Sequence, residues 1–188
     1  MVKLSFPRLP PRITASEWVQ ALPPLRRYVL RGGSEVMKSA GTALGVTLSE
    51  TACRAAVGGE RAALWLGPDE QLLLGAESDS VMETALAEAL RGQAHSLVDV
   101  SHRQTALEVT GPEGVLLLRA GCPLDLDPSE FPVGLCTRTV LAKAEIVLWR
   151  TAPETFHVEV WRSFAAYVSS FLAEVAREVA IPASTLGD

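Results

Sequence analysis

The stretch RAALWLGPDEQLLLG, at 61–75, leaves the chain little choice of architecture. Two apolar runs, Ala62–Leu66 and Gln71–Leu74, are separated only by GPDE, a set of turn-forming residues. Parallel strands need a crossover of a dozen or more residues. The two runs are therefore neighbouring antiparallel strands, and a doubly wound parallel sheet is excluded for this part of the chain.

The same grammar recurs. RRYVLRGG reads as a strand that ends in a glycine turn, and Arg26, Arg27 and Arg31 read as its rim. SLVDVSHRQTALEVTG alternates as two strands around a turn at Ser101–Arg103. TRTVLAKAEIVLWR and TFHVEVWRS alternate with period two and are joined by TAPE. Between these lie helices. Ser80 and Glu83 have capping-box spacing, with Val81, Ala85, Leu86, Ala89 and Leu90 on one face and Gly92 beyond the last turn. Pro112 opens a second helix that Gly121 ends. Ser163 caps a third, whose stripe is Phe164, Tyr167, Val168, Phe171, Leu172, Val175 and Val179. Ser16 caps a short helix through Trp18 to Leu22, closed by Pro23-Pro24. From Ser34 to Gly59, periodicity does not decide between helix and strand.

Strand pairs alternating with helices predict an α+β fold of mainly antiparallel sheet with helices packed on it. Residues 1–12 carry three prolines and read as an extended arm. Its Leu4, Phe6 and Leu9 are costly to leave in water, which makes them candidates for a partner interface. Residues 13–188 read as one α+β unit, compatible with two interlocked subdomains.

Charge and composition remove several classes of function. A formal charge of −5 with no Lys/Arg cluster argues against nucleic acid, which needs a clustered basic surface. No apolar run reaches the roughly 18–20 residues that span a bilayer. The N-terminus has no apolar signal core, and three sparse cysteines suit free thiols, so the expected compartment is the cytoplasm.

The stretch GCPLDLDPSEFPVGLC, at 121–136, concentrates two cysteines and several carboxylates and could be a reactive site, a metal loop or architecture. Cys122 and Cys136 have no second ligand at zinc-site spacing, and Glu130 stands where a calcium loop needs glycine. Cys122 follows a helix C-terminus, whose negative end disfavours a thiolate. Both cysteines read as small buried apolar residues, and Asp125 and Asp127 as acceptors for local backbone N–H groups. His157 and Glu159 share a strand face and read as a surface pair rather than an acid–base dyad. The glycine-rich segments RGGSE, GTALG and VGGE lack phosphate-binding spacing. Trp65, Trp149 and Trp161 sit in strands and read as core or interface anchors rather than a base-stacking platform, with Trp149, Trp161 and Tyr167 the candidates for a partner surface. No catalytic, cofactor-binding or metal site emerges on this chain.

LVDVSHRQTALEVTGPEGVLLLRAGCPLDLDPSEFPVGLCTRTVLAKAEIVLW, followed by VWRSFAAYVSSFL, resembles the gamma subunit of bacterial heterotetrameric sarcosine oxidase. The likeness runs from about Leu64 to Leu172. That family is related in fold to the glycine cleavage T-protein, with its folate-binding domain, and to the first domain of the tRNA-modifying GTPase. The resemblance implies a non-catalytic subunit partnered by alpha, beta and delta chains. Their complex demethylates sarcosine to glycine, passes the one-carbon unit to tetrahydrofolate and forms hydrogen peroxide. FAD, FMN, NAD and zinc are implied on the partner subunits and none on this chain. The equivalent subunit of an N-methylglutamate dehydrogenase or another secondary-amine demethylase stays open. So does a free-standing folate-binding aminomethyl carrier. Under the resemblance, residues 121–134 are a structural loop.

Overall fold

The computed structural model describes residues 17–180. The ten strands in it form two five-stranded antiparallel sheets, and four helices cover their outer faces. In chain order the strands are β1 Val19–Ala21, β2 Leu25–Gly32, β3 Ala55–Gly58, β4 Arg61–Gly67, β5 Glu70–Ala76, β6 His95–Asp99, β7 Gln104–Thr110, β8 Cys136–Leu141, β9 Ala144–Ala152 and β10 Thr155–Trp161. The helices are α1 Ser34–Leu44, α2 Met82–Ala89, α3 Gly111–Arg119 and α4 Arg162–Val179. One sheet has the order β1-β7-β10-β9-β8 and the other β3-β4-β5-β2-β6.

The layers run helix, sheet, sheet, helix. Leu107, Val109, Leu148, Phe156 and Val158 pack the first sheet against α3 and α4. Tyr28, Leu30, Ala63 and Leu73 pack the second against α1 and α2. Between the sheets lies a third apolar layer of Ala62, Leu64, Leu72, Leu74, Cys136 and Val147. Both faces of the inner strands β5 and β10 are buried; β5 accordingly carries the unbroken run Leu72–Leu74, whereas β10 keeps its alternation and so buries His157 and Glu159.

One side of the sandwich is sewn shut. Residues leading into β3 and β8 pair across the two sheets through the Arg54–Leu135 bridge. Ala55 N–H donates to Gly134 O at 2.8 Å and Cys136 N–H to Cys53 O at 2.9 Å. On the opposite side the chain crosses between sheets twice, at residues 22–24 and 100–103, leaving β1 and β6 as outer edges.

The hairpin at 61–75 forms as expected, as β4 and β5. The two strands around Ser101–Arg103 exist, but they do not pair with each other. β6 joins β2 and β7 joins β10, because the turn carries the chain from one sheet to the other. Nor is there a helix at Trp18–Leu22. Those residues form β1, which pairs Val19 with Val109 on the outer edge of β7. An isolated five-residue helix is marginal, and an open sheet edge offers backbone partners it cannot supply.

The ambiguous stretch after Ser34 resolves into α1 and β3. Gly45 ends α1 in the left-handed region at φ 68°, donating to Gly41 O and Thr42 O. The capping box at Ser80 does not form. Asp79 instead accepts the Val81 and Met82 amides, while Glu83 turns to the Tyr28 hydroxyl, 3.2 Å away. The helix face shifts accordingly, with Met82 buried and Val81 exposed. Ser163 does not cap α4, which starts one residue earlier, directly from β10 with Trp161 at the cap position. Its buried face is Ala165, Val168, Ser169, Leu172 and Ala176, so small residues bring the helix close to the sheet. Phe164 and Tyr167 are left outside.

Gly121 lies under α4. A Cβ built there would stand 2.8 Å from the Phe171 ring and 3.0 Å from the Ala142 amide nitrogen. Gly121→Ala should therefore destabilise the chain by about 1–3 kcal/mol through overpacking, read as a lower urea midpoint at unchanged slope.

Candidate functional site

A buried cluster of charged and polar side chains lies between the sheets. In the register of β10, His157 stands opposite Trp149 and Glu159 opposite Val147, on the face that meets the second sheet. From that second sheet, Arg27 of β2 reaches across. Its Nε donates to Glu159 Oε2 at 2.7 Å, and its Nη1 donates to Leu25 O at 3.1 Å. His157 Nε2 lies 2.8 Å from Glu159 Oε1. A carboxylate only accepts there, so the proton sits on Nε2. Arg27 is 1%, Glu159 0% and His157 7% exposed.

Burial alone would push the Glu159 carboxyl up. The hydrogen bond and charge of His157, with the charge and hydrogen bond of Arg27, outweigh it and hold the group below its ordinary value. Among the described residues, buried Arg27 Nη2, Gln104 Oε1 and Trp149 Nε1 nearby have no protein hydrogen-bond partner. The Trp149 and His157 rings are tilted at 5.7 Å between centroids.

The pair read as a surface feature from sequence is thus a buried one, and Arg27, read as rim, is its counter-charge. The alternation around it carried a signal. His157 and Glu159 interrupt an otherwise apolar strand, and a buried carboxylate requires a cation in reach. Which cation meets it depends on how the sheets stack.

Beside this cluster the sheets splay into a cleft of about 470 Å³, lined by Val29, Leu72, Val98, Val147, Glu159 and Trp161 among others. Its rim is bridged by Glu70 of the second sheet, which takes Arg138 from the first and lies 3.9 Å from Arg31 Nε. Arg103 stacks over the Trp161 ring at 5.2 Å. Continuing from Trp161 along the first turns of α4, Phe164 and Tyr167 complete a ridge of three aromatics, 41%, 41% and 39% exposed. Of the residues expected at a partner interface, Trp161 and Tyr167 lie on this ridge. Trp149 is half-buried against the inter-sheet layer. Leu4, Phe6 and Leu9 fall outside the described residues. The helical periodicity places Phe164 on the buried stripe, but α4 turns it outward, 41% exposed.

In the loop at 121–135 the polar groups are engaged in local hydrogen bonds. Asp127 N–H donates to Asp125 Oδ1 and Ser129 N–H to Asp127 Oδ1, each at 2.9 Å. Buried Arg150 donates to Leu126 O and Phe131 O, at 3.3 and 2.7 Å, and to Pro153 O. Its guanidinium lies over the Phe156 ring at 4.9 Å. Cys122 and Cys136 are buried free thiols. Burial pushes the Cys136 thiol up to about 12, the opposite of what a nucleophile needs. Among the described residues, no group of three or more His, Cys, Asp or Glu could hold a metal, and no helix is long and apolar enough to cross a membrane.

Two antiparallel sheets face to face, with helix pairs outside, define an α+β class shared with aminomethyltransferase T of the glycine cleavage system from Bartonella henselae. That structure superposes with a TM-score of 0.64 over 85% of this chain and 46% of that one, at 10% identity, a likeness of fold alone. A closer relation is found with the heterotetrameric sarcosine oxidase from Corynebacterium sp. U-96 in complex with pyrrole 2-carboxylate, where the TM-score is 0.83 at 29% identity over 90% of both chains. Sarcosine oxidase subunit gamma of Corynebacterium sp. (strain U-96) is 36% identical over 117 residues, and that of Arthrobacter sp. 36% identical over 121. These alignments cover 62% and 64% of this chain, but 57% and 59% of the relatives' own lengths. Residues 34–178 match the model of the sarcosine oxidase, gamma subunit family, and the chain belongs to that family.

Because the Glu159 carboxyl is held below its ordinary value of 4.5, its ionised form stabilises the fold above that value. This stabilisation is lost as pH falls through the depressed folded value. Glu159→Gln should flatten the acid limb of a stability–pH curve. Arg27→Met alone should cost about 3–5 kcal/mol at neutral pH, whereas Arg27→Met with Glu159→Leu should recover much of that loss. Urea titrations across pH test both.

Proposed function

We propose that this chain is the gamma subunit of a sarcosine-oxidase-type complex, contributing to assembly while the chemistry is carried on other chains. The observation that carries this reading is the extent of the structural match, 90% of both chains against a heterotetrameric sarcosine oxidase. The complex would demethylate sarcosine oxidatively to glycine, with the one-carbon unit going to tetrahydrofolate and hydrogen peroxide formed. FAD, FMN, NAD and zinc would reside on the alpha, beta and delta subunits, in the cytoplasm.

The aromatic ridge supports the assembly role. Trp, Tyr and Arg are the residues on which binding energy concentrates; Trp161 and Arg103 stack at the inter-sheet cleft, and Tyr167 is exposed two turns further along the chain. Trp161, Phe164 and Tyr167 thus supply the inner contact of the subunit interface, with Leu4, Phe6 and Leu9 as further anchors and Trp149 supporting from the inter-sheet layer.

Co-expression with the three partner chains, followed by size exclusion at a flavin absorbance wavelength, tests the reading. The chain should elute with the flavin, and the complex should form hydrogen peroxide from sarcosine. Trp161→Ala should weaken assembly by about 30-fold or more, the loss expected of an interface hot spot, and leave the fold of the isolated chain intact. Elution of the chain alone and colourless, while the others assemble, would remove the assignment.

A further inference from the structure

The two sheets expose four edges, and the β3 and β8 edges are closed on each other by the Arg54–Leu135 bridge. On the open side, β1 runs for three residues and β6 for five. β6 pairs with β2 along its whole length without a register shift, and among the described residues nothing pairs with its outer side. Sheet edges in soluble proteins are ordinarily guarded by lysine, proline or a bulge. The sequence HSLVD of β6 has none of these.

The direction of each free group follows from the ladder. Val100 N–H donates to Arg27 O at 2.8 Å, and the register that pairs Tyr28 with Asp99 places Val100 opposite Arg27. Hydrogen-bonded pairs alternate along an antiparallel ladder, so Val98 bonds with Val29 and Ser96 with Arg31. On the other side of β2, Gly32 N–H donates to Asp69 O at 3.0 Å, which fits even-numbered β2 residues bonding toward β5. The amides and carbonyls of His95, Leu97 and Asp99 therefore point away from the sheet. Val98, 50% exposed, faces the inter-sheet cleft that Trp161 also lines.

We propose that β6 is a docking edge to which an extended strand of a partner subunit adds, with an alternate apolar side chain of that strand seated over the cleft between Val98 and Trp161. The inference rests on reading the chain as a subunit and names how a partner is held. Free backbone donors and acceptors at strand spacing select an extended backbone as occupant. The cleft lining is mixed, but on the β6 side it is Val98 and Val100 with Trp161 opposite, and this apolar corner selects the side chain that the strand turns inward. The aromatic ridge continues the same surface, so strand addition and aromatic anchoring belong to one interface.

Hydrogen exchange on the isolated chain and on the co-expressed complex, resolved to single amides over 94–100, tests this directly. The amides of His95, Leu97 and Asp99 should exchange at least about 100-fold more slowly in the complex, while those of Ser96 and Val98, already bonded to β2, change little. Val98→Lys, at an exposed position, should keep the thermal melt of the isolated chain and weaken assembly at least about tenfold, because an edge charge blocks strand addition. An intact complex in which the three outward amides exchange as fast as in the free chain would overturn strand addition and leave the subunit reading standing. Assembly of Val98→Lys as tight as the parent would do the same. Failure of the chain to elute with the flavin-bearing chains would remove both. Protection in the isolated chain that rises with its concentration would assign the edge to a second copy instead. Protection independent of concentration, and lost on deleting residues 1–16, would assign it to the chain's own N-terminal segment. Either result overturns the proposal.

Discussion

A guanidinium and a carboxylate, both withdrawn from water, meet where the two sheets face each other. Neither Arg27 nor Glu159 could be buried there alone, since an unpaired charge in an apolar layer costs several kcal/mol. Each sheet therefore carries half of a requirement that only the other sheet satisfies. Apolar side chains in the same layer pack in many relative positions with similar free energy, whereas the Arg27–Glu159 bond at 2.7 Å accepts one. A buried ion pair adds little net stability over well-packed apolar residues, so the bond marks how the two sheets are aligned more than how firmly they are held. The unpartnered atoms beside it, Arg27 Nη2, Gln104 Oε1 and Trp149 Nε1, reduce any net gain further.

Once that alignment is set, the remaining joints between the sheets can close. The Arg54–Leu135 bridge seals one side, Arg138 reaches Glu70 across the cleft mouth, and Cys136 Sγ lies 3.8 Å from Trp65 O. The two short crossovers at residues 22–24 and 100–103 tether the other side. A sandwich sealed along one side and only tethered along the other has a direction. On the open side the edge strand β6 meets Trp161 at the inter-sheet cleft, where a partner would find outward-pointing backbone groups and exposed apolar side chains together.

In the loop between α3 and β8 charged residues build local structure. Asp125 and Asp127 are used on neighbouring amides, and two of the loop's carbonyls are collected by Arg150, which forms no ion pair among the described residues. Phe131 and Leu126 are thereby carried into the core under the first sheet. The same cysteines and carboxylates arranged around an open cavity would invite a catalytic or metal reading. Buried thiols and locally satisfied aspartates do not.

Period-two patterns and short turns were enough to place the hairpin at 61–75, the strands on either side of residue 102, the long C-terminal helix and the α+β class. They were enough because strand alternation, turn residues and helical periodicity are local consequences of backbone geometry. The family likeness was also legible in residues 64–172, as a string of positions in order. Three things were decided elsewhere. Trp18–Leu22 became a strand because β7 offered an open edge. The strands around residue 102 parted because two sheets, rather than one, were available. The His157–Glu159 pair became a buried site because Arg27, more than a hundred residues earlier, is brought onto it by the stacking of the sheets. Local sequence determines which elements form and which faces are apolar; only tertiary structure decides which face meets which, because that choice is made by groups far apart in the chain that must be buried together or not at all.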